Sequence, residues 1–264
     1  MKHIVRTGAT IALVAVLVLG ASATVVSAEK VDVERDGQEV EVDNGNVEFE
    51  DTDADLDFEV SDGNVDIESS GVSIEQRDGD VEVENDRNDL DFETSNDGDE
   101  VDAESQDLEI EQRDDAVEVE EENLDYDRQD DDNVNIESES GPIDIEIDAD
   151  GETEVETDDG DVEDDRDGEL EVDRDDLDYE NDGDGDVEWE DDETDIEQEE
   201  RALEVSTQSG LDFESDGEGR IEFRDGDTDI EIDGRSVDIE GRDDFDVEVD
   251  ESGRATSSTN DTDG

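Results

Sequence analysis

Two short runs of the sequence place a carboxylate at every second residue next to glycine. The first run is Asp182, Asp184 and Asp186, and the second is Glu146, Asp148 and Asp150. Ca²⁺ takes about six to eight oxygen ligands, which carboxylates in such turns can supply. The second run partly follows the spacing of an EF-hand loop, but Thr157 stands at the twelfth position, where that loop has Glu. These six residues are the predicted Ca²⁺ ligands, and diffuse Na⁺ or K⁺ over a hydrated acidic surface is the alternative.

The sequence offers little else for catalysis. It has no Cys, and its one His is His3 at the N-terminus, so the rest of the chain has neither thiolate nor imidazole. Paired carboxylates can hydrolyse glycosidic bonds, which keeps a polysaccharide-acting β-helix enzyme as an alternative. The aromatic residues, however, stand at inward positions of the expected strands, which leaves none to stack on a sugar ring. We predict a non-catalytic protein without catalytic or cofactor-binding residues.

Charge sets the expected surroundings and partners. The 264-residue chain has 101 Asp and Glu against 16 Lys and Arg, a formal net charge of −85. A polyanion of this strength repels nucleic acid and anionic membrane surfaces, so neither is predicted as a partner. The composition resembles that of extreme halophiles, and molar salt shortens the Debye length to about 3 Å. We expect folding to require high K⁺ or Na⁺, and partners to be a cell-envelope protein or glycan, or divalent cations.

Residues 1–28 differ from the rest of the chain. A basic start that ends at Arg6 is followed by 22 uncharged residues, and small residues precede Glu29. This pattern predicts a secretory signal peptide cleaved before Glu29. An uncleaved anchor is the alternative, because 22 uncharged residues can span a bilayer. Both interpretations place the remaining chain outside the membrane, secreted or on the cell surface.

Two further segments follow the predicted signal peptide. Residues 29–250 are predicted to form an acidic β-repeat domain. Residues 251–264 lose the pattern and are predicted to be a flexible Ser/Thr-rich tail. The tail holds a glycosylation sequon at Asn260, and whether it is modified is left open.

The repeat domain is built from one short motif, two apolar residues around a polar one. It occurs in 23 clean copies, and the middle residue is Asp or Glu in 21 of them. Alternation over a few residues is typical of a β-strand with one buried face, and the Asp-Gly and Gly-Asn pairs in between are turn formers. Degenerate copies bring the predicted strands to about 26. This order argues against the disorder that the composition alone would indicate. Single arginines in the turns, such as Arg77, Arg113 and Arg242, are expected to pair with neighbouring carboxylates.

A longer period lies above this motif. Equivalent motifs begin every 34 residues, with one step of 53, at Leu56, Leu90, Leu124, Leu177, Leu211 and Phe245. Repeats of fixed length imply stacked units. We predict an all-β fold, a β-solenoid of 34-residue, four-strand repeats, with a β-propeller or sandwich as the alternative. Stacked strands would align the outward carboxylates into ladders, where cations could also bind.

Four segments share a Gly-Asp or Gly-Asn turn followed by a valine strand: 45–49, 63–67, 79–83 and 185–189. In this feature the chain resembles a family of extracytoplasmic, adhesin-like β-solenoid repeat proteins of unknown function, in an extreme-halophile version. The resemblance implies an extracytoplasmic location and a repeat architecture. We therefore predict a structural, adhesive or surface-interaction role. The Ca²⁺-dependent repeat protein and the polysaccharide-acting enzyme are the alternatives.

Overall fold

The computed structural model of the chain is all-β in the residues that it describes, as the sequence predicts. No helix occurs among these residues, and they form 28 strands in two sheets. The described residues are 24–27, 30–35, 37–43, 45–95, 100–105, 108–113, 116–121, 124–130, 133–138, 144–147, 153–157, 160–164, 169–174, 177–183, 185–199, 201–242, 245–250 and 254–258.

Most strands are four to six residues long, as the short alternating motifs predict. In chain order they are β1 (Thr24–Ser27), β2 (Lys30–Arg35), β3 (Gln38–Asp43), β4 (Asn46–Asp51), β5 (Leu56–Ser61), β6 (Asn64–Ser69), β7 (Val72–Arg77), β8 (Asp80–Asn85), β9 (Leu90–Ser95), β10 (Glu100–Ser105), β11 (Leu108–Arg113), β12 (Ala116–Glu121), β13 (Leu124–Asp130), β14 (Asn133–Ser138), β15 (Asp144–Ile147), β16 (Thr153–Glu156), β17 (Gly160–Asp164), β18 (Leu170–Arg174), β19 (Leu177–Asn181), β20 (Asp186–Asp191), β21 (Thr194–Glu199), β22 (Ala202–Thr207), β23 (Asp212–Ser215), β24 (Arg220–Asp225), β25 (Thr228–Asp233), β26 (Ser236–Gly241), β27 (Phe245–Val249) and β28 (Arg254–Ser258).

Each sheet is an antiparallel meander in which a strand pairs with its neighbours in the chain. Sheet I runs from β2 to β14, and sheet II from β15 to β28, with β1 added beside β28. The chain passes from sheet I to sheet II between β14 and β15. Neither sheet closes on itself, so sheet I has the edge strands β2 and β14, and sheet II has the edge strands β1 and β15.

The predicted β-solenoid is not confirmed. In a solenoid a strand hydrogen-bonds to the equivalent strand of the next coil, one repeat away. Here β5 pairs with β4 and β6, and the equivalent strand β9 lies four strands away in the same sheet. The turns are short, and short turns join antiparallel neighbours. Each 34-residue repeat is therefore four consecutive strands of a meander, and the 53-residue step spans β13 to β19, where the chain changes sheets.

The two sheets pack face to face in opposite strand order, because the chain folds back on itself. The Phe49 ring of β4 lies 6.2 Å from the Phe245 ring of β27, and the Phe58 ring of β5 lies 5.6 Å from that of Phe223 in β24. Toward the crossover, Tyr126 of β13 contacts β17. Two antiparallel sheets around one core correspond to the sandwich that the sequence left as an alternative.

Every second residue of a strand points inward, and these side chains fill the space between the sheets. In β8, Val81, Val83 and Asn85 are buried, whereas Glu82 and Glu84 are exposed. The aromatic residues follow the same rule: all nine in the chain lie inside and are at most 3% exposed. They are Phe49, Phe58, Phe92, Tyr126, Tyr179, Trp189, Phe213, Phe223 and Phe245. Where side chains are described, the predicted division into inward apolar and outward acidic residues is confirmed, with inward Asp51 and Asp164 as exceptions.

Tight turns fix the register between neighbouring strands. Asp62 and Gly63, between β5 and β6, both have positive φ angles (53° and 86°), and so do Asp78 and Gly79, between β7 and β8 (54° and 96°). Two central residues at positive φ form a type I′ turn, whose twist matches that of paired strands. Asp and Gly tolerate this conformation, Gly without steric cost. The turn residues therefore decide which outward carboxylates face each other.

Candidate functional site

The outward carboxylates of sheet I form a continuous ladder across the sheet. Glu41 of β3, for example, is the register partner of Asp32 in β2 and of Glu48 in β4. The ladder crosses twelve strands and ends at Asn135 of β14. Its members, called ladder I below, are Asp32, Glu41, Glu48, Glu59, Asp66, Glu75, Glu82, Glu93, Asp102, Glu111, Glu118 and Asp127.

Sheet II carries a ladder of the same kind. It occupies equivalent register positions on every strand from β15 to β27 and ends at Thr256 of β28. Its members, called ladder II below, are Glu146, Glu154, Glu163, Glu171, Glu180, Glu188, Glu197, Glu204, Glu214, Glu222, Glu231, Asp238 and Glu248. The carboxylate ladders predicted from the sequence are thus present on both outer faces.

Six of the ladder carboxyls are harder to ionise than isolated ones. At Glu188, partial burial among neighbouring side chains is the largest cause that raises the pKa, and the charges of Glu197 and Glu180 raise it further. The pKa is raised for the same kinds of reason at Glu48, Glu82, Glu171, Glu204 and Asp238. A carboxylate between carboxylates favours its neutral form, so cations that screen or bind these charges favour the folded state.

Arginines at strand ends bridge some ladder carboxylates. Arg77 Nη2 lies 2.6 Å from a Glu75 oxygen, and Arg113 contacts both Asp102 (3.1 Å) and Glu111 (3.3 Å). These contacts confirm the ion pairing predicted for the two arginines. Both guanidinium groups are exposed, and exposed pairs contribute about 0–1 kcal/mol. The arginines therefore relieve little of the repulsion along the ladders.

A different carboxylate environment lies between the sheets at Asp51, which is fully buried at the end of β4. Its Oδ2 accepts hydrogen bonds from Gln38 Nε2 (2.8 Å) and Arg242 Nε (2.9 Å). Its Oδ1 accepts from Arg242 Nη2 (2.5 Å) and from the amides of Asp53 (3.0 Å) and Ala54 (3.1 Å). Burial alone raises the pKa of Asp51, but these donors outweigh it and hold the pKa below its ordinary value. Asp51 thereby joins the turn after β4 to sheet II.

A second buried carboxylate, Asp164 of β17, lies nearer the crossover. Its Oδ2 is 2.7 Å from Arg128 Nε in β13, and the two side chains are only 1% and 6% exposed. The hydroxyl of Tyr126 donates to the same oxygen at 2.5 Å. Burial, and then the charge of Asp164, raise the pKa of Tyr126, so its hydroxyl stays protonated and available as a donor. This buried group joins sheet I to sheet II by charge as well as by packing.

The sequence-based reasoning missed both buried carboxylates, although a signal was present. Asp51 follows Val47 and Phe49 at intervals of two, and Asp164 follows Val162 at the same interval. A carboxylate in phase with the inward residues must lie inside if the strand extends that far. Because carboxylates are so frequent at outward and turn positions, residue type alone does not distinguish the few that lie at inward positions.

The structure describes only part of the predicted Ca²⁺ site. The amide of Asp186 donates to Asp182 Oδ1 (3.2 Å), and the amide of Asp182 donates to the carbonyl of Asp186 (3.1 Å). Glu146 belongs to ladder II. Asp148, Asp150 and Asp184 lie outside the described residues. Within the described ranges, no group of three or more His, Cys, Asp or Glu is arranged to hold a metal ion. The Ca²⁺ site stays a prediction.

The surface of sheet I has a depression that is lined mainly by polar residues. It has a volume of about 280 Å³ and lies around the turn between β6 and β7. Carboxylates and serines dominate its lining, and neither an aromatic nor a basic residue lines it: Asp55, Glu68, Ser69, Ser70, Gly71, Val72, Ser73, Glu84 and Asp86. It therefore lacks a platform for a sugar ring and a basic group for an anionic substrate.

No family model matches the chain, and no curated protein matches it. Among solved structures, the TCP10 domain of Danio rerio CPAP in complex with a peptide of Danio rerio STIL is 11% identical, covers 74% of this chain and 93% of that chain, and gives a TM-score of 0.26. The G-box domain of the microcephaly protein CPAP is 12% identical over 72% of this chain and 99% of that chain, with a TM-score of 0.23. The TCP10c domain of Drosophila melanogaster Sas-4 is 15% identical over 54% and 97%, with a TM-score of 0.21. At these TM-scores the similarity supports no conclusion about fold or function.

In the part of the chain that the structure describes, no helix is long and apolar enough to cross a bilayer.

Proposed function

We propose that this chain is a non-catalytic structural protein, secreted or held at the cell surface, that works in molar salt and offers two broad acidic faces for adhesion or surface interaction. The observation that carries the proposal is the pair of carboxylate ladders, one on each outer face, around a core that takes in every aromatic side chain. The resemblance to extracytoplasmic adhesin-like repeat proteins suggests the same kind of role.

Repulsion between the ladder carboxylates suggests that the protein folds and works in a saline environment. Facing residues of antiparallel strands are about 4.8 Å apart, and like charges directly opposite each other destabilise a strand pair by about 0.2–1 kcal/mol. Repulsion of this size, repeated along both ladders, opposes folding in dilute buffer. Salt at molar concentration screens charges beyond about 3 Å. The same surface binds water and cations strongly, which suits an exposed coat or adhesive layer in brine.

Burial of the aromatic residues supports a role that does not include the cleavage of polysaccharides. A polysaccharide-acting enzyme holds its substrate on exposed aromatic rings and brings two carboxylates to one cleft. The nine aromatic rings lie in the core, and the ladder carboxylates are spread over open faces. A cell-envelope protein or glycan that binds through hydroxyl groups, amides or bridging cations is the partner that such faces fit.

The salt dependence of folding tests the proposal. Circular dichroism of residues 29–264 is expected to show a β spectrum in molar KCl, to lose it on dialysis into dilute buffer, and to regain it when KCl is restored. Sorbitol at matched osmolality is the control, because it alters water activity without screening charge and should not restore the spectrum. A β spectrum that is unchanged in dilute buffer contradicts the proposal.

Specific Ca²⁺ binding is a second candidate function, favoured by ladders that place carboxylate oxygens of successive strands side by side. Calorimetric titration in molar KCl is expected to give saturable heat and a rise in melting temperature with Ca²⁺. The triple variant Asp182→Asn, Asp184→Asn, Asp186→Asn tests the first predicted run of ligands. Loss of the heat in this variant assigns binding to that turn, and retention assigns it to the ladders or to the second predicted run at Glu146, Asp148 and Asp150. Absence of saturable heat in the unaltered protein removes this candidate and leaves the structural role intact.

A further inference from the structure

The two ends of the sandwich differ in charge. The end that contains β1, β2 and β28, here called the near end, is where ladder II stops at Thr256. Strand β28 has one arginine and no carboxylate, and β1 has no charged residue. Strand β2 carries two basic and two acidic residues. In a chain with a net charge of −85, the three strands of the near end together carry one net positive charge.

Strand β1 belongs to the segment predicted as a signal peptide. It covers one edge of β28 by antiparallel pairing, with Val25 opposite Thr256 and Val26 opposite Ala255. The other edge of β28 pairs with β27. Cleavage before Glu29 would remove β1 and leave the backbone N–H and C=O groups on one side of β28 without partners. An open edge of this kind is a template for another strand.

The opposite end, here called the far end, has the edge strands β14 and β15. Ile145 of β15 is 43% exposed and is the one large hydrophobic residue classed as exposed in the described part of the chain. It occupies an inward position, opposite Val155 of β16, which is fully buried. The two residues differ because β16 has a neighbour on each side and β15 has one. A strand added beyond β15 would cover Ile145.

We propose that the chain left by cleavage assembles head to tail with copies of itself, the β28 edge of one copy pairing with the β15 edge of the next. The sequence of β15 (DIEI) contains two acidic residues and no basic one, whereas that of β28 (RATSS) contains one basic residue and no acidic one. Two far ends would instead place like charges together, which is unfavourable for facing strands. In the precursor, β1 occupies the β28 edge and prevents this contact. Unlike ends that join repeatedly give an open fibre.

This inference goes beyond the proposed role and uses the predicted cleavage site. It is tested by sedimentation of residues 29–264 in molar KCl at rising protein concentration. The average mass is expected to climb beyond twice that of one chain. A synthetic peptide of residues 21–28, which contains the β1 sequence, is expected to lower this mass, and a scrambled peptide is not. A single-chain mass at every concentration overturns the inference, whereas the proposed role depends on the salt experiment.

Two variants, each with one end of the sandwich blocked by an added charge, show which ends pair with each other. Thr256→Glu extends ladder II onto the near end, and Ile145→Glu places a charge at the exposed inward position of the far end. Each variant alone is expected to stay a single chain, and an equal mixture to form dimers, since one open near end meets one open far end. Ser206→Glu on β22, an interior strand of sheet II, adds the same charge away from both ends and should assemble normally. Dimers of Ile145→Glu alone would mean that near ends pair with each other, and would overturn the head-to-tail arrangement.

Discussion

Glu188 and Asp164 lie in the same sheet and carry the same charge in opposite surroundings. On the outer face, Glu188 has the carboxylates of Glu180 and Glu197 at its register positions on the two neighbouring strands. Between the sheets, Asp164 has the guanidinium of Arg128 and the hydroxyl of Tyr126. The outer carboxylate is destabilised by its neighbours and screened by salt. The inner one is buried beside a guanidinium group and is little affected by salt.

The comparison shows that acidity plays two separate roles in this fold. Ladder carboxylates keep the outer faces hydrated and make folding depend on cations. The two buried aspartates join the sheets and make folding depend on their own ionisation. Salt, pH and substitution should therefore act in opposite directions on the two groups.

The largest effect is expected from Asp164→Asn, which removes the charge opposite buried Arg128. An uncompensated buried charge costs about 3–5 kcal/mol, and this loss should appear in the free energy of unfolding measured with urea in molar KCl. The control is Glu163→Gln, the same chemical change at the exposed neighbouring residue, which should cost little. Equal losses in the two variants would show that Asp164 is not the stabilising partner of Arg128.

A double variant sharpens the same point. Replacing the pair by Asp164→Leu with Arg128→Met removes both charges, so most of the lost stability should return, since apolar replacement of a buried pair is often neutral. A double variant that is as unstable as Asp164→Asn would mean that the polar contacts, rather than the unpaired charge, set the loss.

The melting temperature is expected to pass through a maximum as the pH is varied. Six ladder carboxyls have raised pKa values, so their contribution to stability is present at low pH and is lost as pH rises through those values. Asp51 has a lowered pKa, so its contribution is present above the ordinary value of an aspartate and is lost as pH falls through the lowered one. On acidification in moderate salt, the melting temperature should first rise and then fall. In Asp51→Asn the fall at the acid end should shrink, and an unchanged fall would assign it to other groups.

The smallest effect is expected from Glu188→Gln, which removes one charge from the middle of ladder II. Like charges directly opposite each other destabilise a strand pair by about 0.2–1 kcal/mol, so this variant should be slightly more stable than the unaltered protein in moderate salt. The gain should vanish in molar KCl. Glu218→Gln, in the exposed turn between β23 and β24, is the matched control and should show no gain. A gain that persists in molar KCl would point to packing instead of charge.

The sequence predicted strands, faces and turns because each depends on local order. Val81-Glu82-Val83 determines which side of β8 is buried, and Asp78-Gly79 favours a tight turn before it. Local residue order does not specify which strands pair with each other. A repeat of four strands fits a coil as well as a meander, since every second residue of a strand is buried in both. The 53-residue step from Leu124 to Leu177 is the available sign in the sequence that the chain changes sheets.

The candidate site was predicted in part for the same reason. Outward carboxylates align wherever strands pair in register, so the ladders were expected in a coil and occur in a meander. The contacts of Asp51 with Arg242 and of Asp164 with Arg128 join residues 191 and 36 positions apart. Such pairings depend on how the two sheets face each other, which local alternation does not specify.

The reversed strand order of the two sheets restricts how such a chain can change in length. Strands that face each other lie at similar distances from the crossover between residues 138 and 144. A 34-residue duplication on each side of the crossover would lengthen both sheets by four strands and leave every existing contact between the sheets in place. A duplication on one side alone would leave four strands with an uncovered apolar face. Relatives of different length are therefore expected to differ by pairs of repeats, gained or lost at the crossover.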